Sequence, residues 1–160
     1  SDERDILLGA LPFASDVSEL QKQGVVAVVN MCEEWEGPVE EYKARGIEQL
    51  RLPVVDGDMP TLEQLVQAVQ FAHRFLGPEA KRAAQADPTS SSNPAVFVHC
   101  RCGMGRSASV VLALLMLRTR ASSRHHAKVI LDAIRSKRPE VAAGVGAYRS
   151  IRQWRRLIAK

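Results

Sequence analysis

The sequence predicts an α/β fold, a mostly parallel central sheet flanked by helices, and three observations predict it. Four short apolar runs are each bounded by turn or loop residues, helical patterns lie between them, and the chain closes on three helical patterns with no strand among them. At 160 residues the chain is long enough to bury a core of its own, so a single domain over 1–160 is expected.

Ile6-Leu7-Leu8 before Gly9, Val25 to Val29, Glu48 to Leu52 and Ala95 to His99 read as the strands. Asp16 to Gln23 and Val39 to Arg45 read as the first two helices. A third follows Thr61, with apolar positions at Leu62, Leu65, Val66, Val69, Ala72 and Leu76, and the pair Thr61 and Gln64 behind Pro60 has the spacing of a capping box. Ala83 to Pro94 has no periodicity and is rich in turn formers, which predicts a mobile surface loop inside the domain. The last three helices are expected at Gly105 to Arg120, Ser123 to Ser136 and Gly146 to Ile158. The final one places Tyr148, Ile151, Trp154 and Ile158 at core spacing.

A hydrophobic share of 46% with 25% charged residues excludes disordered, collagen-like and disulfide-scaffold classes. Three cysteines, an odd number, point to free thiols and an intracellular, reducing compartment. No run of about 18 apolar residues is present to span a bilayer as a helix. The chain begins at Ser1 rather than Met, which leaves room for a targeting or anchoring segment ahead of it. Of the net charge of +4, the stretch from Ala121 to Lys160 carries ten Lys or Arg against Asp132 and Glu140. A solvated helical face explains this first, for His125 and His126 as well. Arg149, Arg152, Arg155 and Arg156 also suit peripheral contact with an anionic membrane, and no nucleic-acid partner is expected.

The chemistry concentrates in one segment, Val96-Phe97-Val98-His99-Cys100-Arg101-Cys102-Gly103-Met104-Gly105-Arg106-Ser107. A buried strand runs into a loop with two glycines and then into a helix start. Glycines let the backbone turn its N–H groups inward, and the helix adds the positive end of its dipole, so the loop is an anion cradle that fits phosphate. Arg101, Cys102, Gly103, Met104, Gly105 and Ser107 are its expected substrate-binding residues. The same N–H groups favour thiolate over thiol at Cys100, which is expected to be ionised at pH 7. Arg106 can curl back and hold two phosphate oxygens with its planar fork. Ser107 can donate to the sulfur when the thiolate must leave, and His99 can orient it through its ring.

Three other readings compete. A nucleotide-binding loop needs G-x-x-x-x-G-K-[ST], and here the lysine is missing and the glycines are too close. A zinc site on His99, Cys100 and Cys102 lacks ligand spacing, and Arg101 and Arg106 repel a cation. An inert buried cysteine would not need glycines and an arginine in register around it. Cys102 itself reads as a small packing residue, ahead of a spare thiol protecting Cys100.

Thiolate attack on phosphorus expels an oxyanion that needs a proton. Asp56 follows the third strand at the edge from which the cysteine loop emerges, and Asp58 is the fallback two residues on, unless both merely form a turn with Gly57. Glu33, Glu34 and Glu36 follow the second strand on that edge, where they either orient Arg106 or line the mouth, or else form a solvated acidic loop. Trp35 is expected to wall the pocket.

His99-Cys100-x-x-Gly103-x-x-Arg106-Ser107 resembles the His-Cys-x-x-Gly-x-x-Arg-Ser/Thr signature of protein tyrosine and dual-specificity phosphatases. Leu7-Leu8-Gly9-Ala10-Leu11-Pro12, Glu33-Glu34-Trp35-Glu36, Glu48-Gln49-Leu50-Arg51-Leu52 and Ile134-Arg135-Ser136 resemble stretches of the mitochondrial subgroup that dephosphorylates phosphatidylglycerophosphate. The loop departs from that subgroup's Lys-Ala-Gly-Arg type at Arg101, Cys102 and Met104, and Ala83 to Pro94 looks like an insertion. The resemblance implies the cysteine-dependent protein tyrosine phosphatase fold, a phosphocysteine intermediate, Asp56 as general acid, no cofactor or metal, and a mitochondrial location, with the cytoplasm as alternative. It implies a phosphorylated partner, first a lipid phosphomonoester. The alternatives are a dual-specificity protein phosphatase acting on Tyr, Ser or Thr, and a catalytically weak phospho-binding module.

Overall fold

The computed structural model describes residues 5–90 and 93–160. Its four strands are β1 (Ile6–Gly9), β2 (Val25–Cys32), β3 (Glu48–Val54) and β4 (Ala95–His99), in the spatial order β1-β4-β2-β3. Every pairing is parallel, with Leu7 opposite Phe97, Val29 opposite Val98 and Val29 opposite Leu50. All four chains therefore leave the sheet at one edge, and the functional loops meet there.

Side-chain alternation divides the core in two. Ala27, Val29, Met31, Val96 and Val98 face one layer, made by α3 (Leu62–Leu76), α5 (Arg106–Arg118), α6 (Arg124–Lys137) and α7 (Arg149–Ile158). Val28, Ala95 and Phe97 face the other, where Val17 of α1 (Val17–Lys22) and Tyr42 of α2 (Val39–Ala44) cover them. The helix α5 is buried around most of its circumference, from Arg106 to Met116, and so forms the centre of the larger layer. The capping box forms as expected: Gln64 N donates to Thr61 Oγ1 at 3.1 Å, and Thr61 N donates to Gln64 Oε1 at 3.0 Å.

Several boundaries differ from expectation. Two strands run longer, β2 to Cys32 and β3 through Pro53 to Val54. The proline is tolerated because β3 is an edge strand. The predicted loop at 83–94 begins as helix, since α4 spans Pro78–Ala86; Ser91 and Ser92 of that loop lie outside the described residues. The last helix starts at Arg149, after a 3-10 segment at Ala143–Ala147, because Tyr148 adopts an extended ψ of 143°. Ile151 and Trp154 are buried as their spacing predicts, and the Trp154 indole N–H donates to Ala113 O at 3.1 Å.

Candidate active site

The cradle begins where β4 ends. Cys100 is 3% exposed, with its Sγ 3.1 Å from Ser107 Oγ and 3.3 Å from the Gly103 N–H. Burial pushes the thiol pKa up, but hydrogen bonds from the Ser107 hydroxyl and from the N–H groups of Ser107, Gly103 and Met104 outweigh it, leaving it below the ordinary cysteine value. His99 adds no charge: burial pulls its ring down to about 4, so it is neutral at pH 7.

His99 also works differently from expectation. Its Nδ1 lies 3.1 Å from the Cys100 carbonyl oxygen and so carries the proton, while the ring stacks on Phe97 at 5.4 Å on the α1–α2 face. Its hydrogen bond is thus to the backbone of Cys100, and its Nε2 has no hydrogen-bond partner among the described residues.

Gly103 is required on two counts. Its φ of +69° favours glycine, and a Cβ there would stand 2.6 Å from the Gly9 carbonyl oxygen, where β1 leaves the sheet. Gly105 caps α5, and a Cβ on it would stand 3.4 Å from the Tyr148 hydroxyl. Met104 contributes its N–H to the cradle, its carbonyl accepts from Ala142 N at 2.9 Å, and its side chain is exposed. Arg101 is exposed, with its guanidinium 3.9 Å from Asp56. Cys102 is exposed too, which corrects its reading as a packing residue: β4, buried on both faces, ends at His99, and the loop turns the Cys102 side chain outward.

Arg106 lies at the first position of α5, 4% exposed, and returns over the loop. Its Nη1 donates to Glu34 Oε2 at 2.8 Å and to Val54 O at 2.7 Å. Its Nη2 donates to Glu34 Oε1 at 2.7 Å and to Asp56 Oδ1 at 2.9 Å. The bidentate pair holds the Glu34 carboxyl down at about 2, so it stays ionised, and pushes the guanidinium higher still. These four bonds leave Nε–H, which lies beside the Nη2–H that Asp56 accepts.

Glu34 alone of the three glutamates reaches this site. The Glu33 carbonyl accepts from Arg51, and the Glu36 carboxylate lies 3.9 Å from the Arg51 guanidinium. Trp35 walls the neighbouring loop, with its indole N–H on Pro12 O at 3.1 Å and its ring edge-on to Phe13 at 5.9 Å. Asp58 sits in the turn, its N–H on Val55 O, with Gly57 at φ +91°. Of the two aspartates, Asp56 is the one bonded to Arg106.

Two supports escaped the sequence reading. Arg138 at the end of α6 donates to Gly103 O at 3.2 Å and Cys102 O at 2.7 Å, which fixes the outer face of the cradle so that its N–H groups point inward. Asn30, fully buried, holds the Cys32 N–H at 2.9 Å and the Trp35 carbonyl at 2.8 Å, and so shapes the loop that carries Glu34. Arg138 acts across a long sequence separation, where no local spacing marks it, whereas Asn30 acts on residues two and five positions ahead, and its type alone does not announce those bonds.

The dual specificity phosphatase catalytic domain matches residues 6–157. The chain belongs to that family. Among its relatives, the Arabidopsis thaliana phosphatidylglycerophosphate phosphatase PTPMT1 is 30% identical over 149 residues, covering 91% of this chain and 39% of that protein. The Homo sapiens phosphatidylglycerophosphatase and protein-tyrosine phosphatase 1 is 38% identical over 118 residues, covering 69% of this chain and 52% of that protein. The chain thus spans about half or less of these relatives' length. The crystal structure of PTPMT1 in complex with PI(5)P superposes with a TM-score of 0.74 at 29% identity, covering 98% of this chain and 94% of that one. The family match agrees with the fold expected from the strands.

Proposed function

We propose that this chain is a cysteine-dependent phosphomonoester hydrolase whose substrate is a phospholipid of the phosphatidylglycerophosphate type. The observation that carries the chemistry is the juxtaposition of a hydrogen-bonded Cys100 sulfur, the Arg106 fork and the Asp56 carboxyl in one site. The lipid part is supported by the relatives, two of which are named for phosphatidylglycerophosphate hydrolysis. It is consistent with a mitochondrial setting, and no helix among the described residues is long and apolar enough to cross a membrane.

In this reading, phosphate enters the cradle and takes the Nε–H and Nη2–H of Arg106, displacing Asp56 towards the leaving oxygen. The Cys100 thiolate attacks phosphorus, the P–O ester bond breaks, and Asp56 delivers its proton to the departing alkoxide. In the second step Asp56 takes a proton from water as the water oxygen attacks the phosphocysteine. The S–P bond breaks, and the Ser107 hydroxyl stabilises the returning thiolate. Arg106 and the loop N–H groups carry the transition-state charge throughout.

Two measurements test this. Phosphate release from phosphatidylglycerophosphate, phosphoinositides and phosphopeptides at equal concentration is expected to rank the first highest; preference for phosphopeptides would replace the lipid reading with a protein phosphatase, and binding without turnover would make the chain a phospho-binding module. Asp56→Ala is expected to lower kcat/KM by about 100- to 10,000-fold for an alkyl phosphomonoester and far less for an activated aryl phosphate, whose leaving group departs unprotonated. Equal losses on both substrates would reduce Asp56 to a partner of Arg106, and a selective loss in Asp58→Ala would move the acid along the loop.

A further inference from the structure

We infer that the rim of the active-site mouth is a membrane-contact face, on which Phe13, Val55, Met59 and Met104 enter the outer layer of a bilayer while the cradle takes a lipid headgroup. This rests on the lipid reading above. Four large apolar side chains, each between 44% and 59% exposed, stand on loops that leave the sheet at the same edge: Phe13 after β1, Val55 and Met59 after β3, and Met104 after β4. Among the described residues the other exposed large apolar side chains are Leu117, Val129 and Leu157, one each on α5, α6 and α7. Scattered apolar residues need no explanation, but a group of them around a binding site does.

The loops are held together as one rim. Leu11 N donates to Arg101 O at 3.1 Å, Phe13 packs edge-on against Trp35, and Arg106 ties the Glu34 loop to Val54 and Asp56. Beneath this rim Cys100 and Arg106 are almost wholly buried. A phosphomonoester on a membrane lipid lies at the bilayer surface, so it reaches the sulfur only if the rim itself meets that surface. The occupant is therefore the bilayer that holds the substrate, continuous with the phosphate site.

Charge decides how the face is captured. On this edge Glu33, Glu34, Glu36, Asp56 and Asp58 stand against Arg51, Arg101, Arg106 and Arg138, which leaves no net attraction for an anionic surface. Capture by apolar insertion is insensitive to salt, unlike capture by a basic patch. The basic cluster of the last helix lies elsewhere. The helix α5 starts at the cradle and runs 13 residues, about 20 Å at 1.5 Å per residue. Past its far end Arg155 Nε donates to Ser122 O at 3.0 Å, and Ser122, Arg152, Arg155 and Arg156 line one depression there. Arg152, Arg155 and Arg156 therefore lie towards the end of α5 away from the cradle.

The test uses the whole chain and Phe13→Ser/Met59→Ser, neither residue being part of the catalytic machinery. Wild type is expected to sediment with phosphatidylcholine vesicles, with binding changed less than about twofold between low and high salt. The double variant is expected to lose sedimentation. It should also lose at least about tenfold in kcat/KM on phosphatidylglycerophosphate embedded in those vesicles, while keeping activity within about twofold on a soluble glycerol phosphomonoester. Arg152→Ser/Arg155→Ser/Arg156→Ser is expected to behave as wild type. Wild-type sedimentation and vesicle turnover in the double variant would overturn the inference, as would equal losses on both substrates, loss confined to the arginine variant, or a concentration-dependent dimer abolished by Phe13→Ser/Met59→Ser. If no phospholipid is hydrolysed, the substrate reading fails, and sedimentation on substrate-free vesicles still decides the contact face.

Discussion

Cys100→Ser is expected to lower turnover by roughly 10,000-fold or more while phosphate or another tetrahedral oxyanion still binds. The cradle is built from backbone: the N–H groups of Gly103, Met104 and Ser107 that lower the thiol pKa do not depend on the sulfur. Serine keeps the shape of the site but offers a hydroxyl that stays protonated at neutral pH, so the anion is still held and the attack fails. Removing the thiolate charge from beneath the bound oxyanion also works against any loss of affinity. Steady-state release of phosphate and direct titration with inorganic phosphate or vanadate separate the two effects. Appreciable turnover in the serine variant would remove Cys100 as nucleophile.

Arg106→Lys conserves charge and is expected to cost about 100- to 1,000-fold in kcat at least, the scale on which one transition-state donor is felt. In the structure the guanidinium serves four acceptors at once: both Glu34 oxygens, the Val54 carbonyl and Asp56. An ammonium has three protons from a single point, so it cannot hold the Glu34 pair and the Val54 carbonyl and still present two parallel donors to phosphate. The lost geometry should appear in kcat more than in KM, because the fork matches the equatorial oxygens of the transition state. Glu34→Gln is a useful companion: it keeps Arg106 charged but removes the carboxylate that orients it. A near-normal rate for Arg106→Lys would mean that the fork does not face the reacting phosphoryl group.

Much of this was legible in the chain because it is local. Cys100, Gly103, Arg106 and Ser107 fall within eight residues between a buried strand and a helix start, and the thiolate-stabilising contacts are made inside that segment. The parallel sheet follows from alternation of strands and helices, and parallel exit explains why Asp56 and Glu34 come to the cysteine from different strands. Other features failed for identifiable reasons. The helix α4 has no buried residue, so its run of good helix formers behind Pro78 shows no apolar stripe. Tyr148 breaks the last helix through its backbone conformation, which side-chain spacing does not report. Cys102 reads as apolar by type and is turned outward by the loop. Arg138 and Asn30 support the site through carbonyl and N–H bonds made by any number of polar residues elsewhere, and only the folded chain shows that these two make them.

The central claim is that the phosphoryl group passes through Cys100, and it is tested most directly by trapping. Asp56→Ala leaves the first step open to an activated aryl phosphate but removes the base of the second, so the intermediate should accumulate. Mixing that variant with aryl phosphate, quenching under denaturing conditions and digesting the chain is expected to place close to one phosphoryl group per protein on the peptide containing Cys100. The Cys100→Ser/Asp56→Ala chain is expected to carry none. Phosphoryl label on another residue, or turnover by Asp56→Ala with no labelled cysteine at any quench time, would contradict the account.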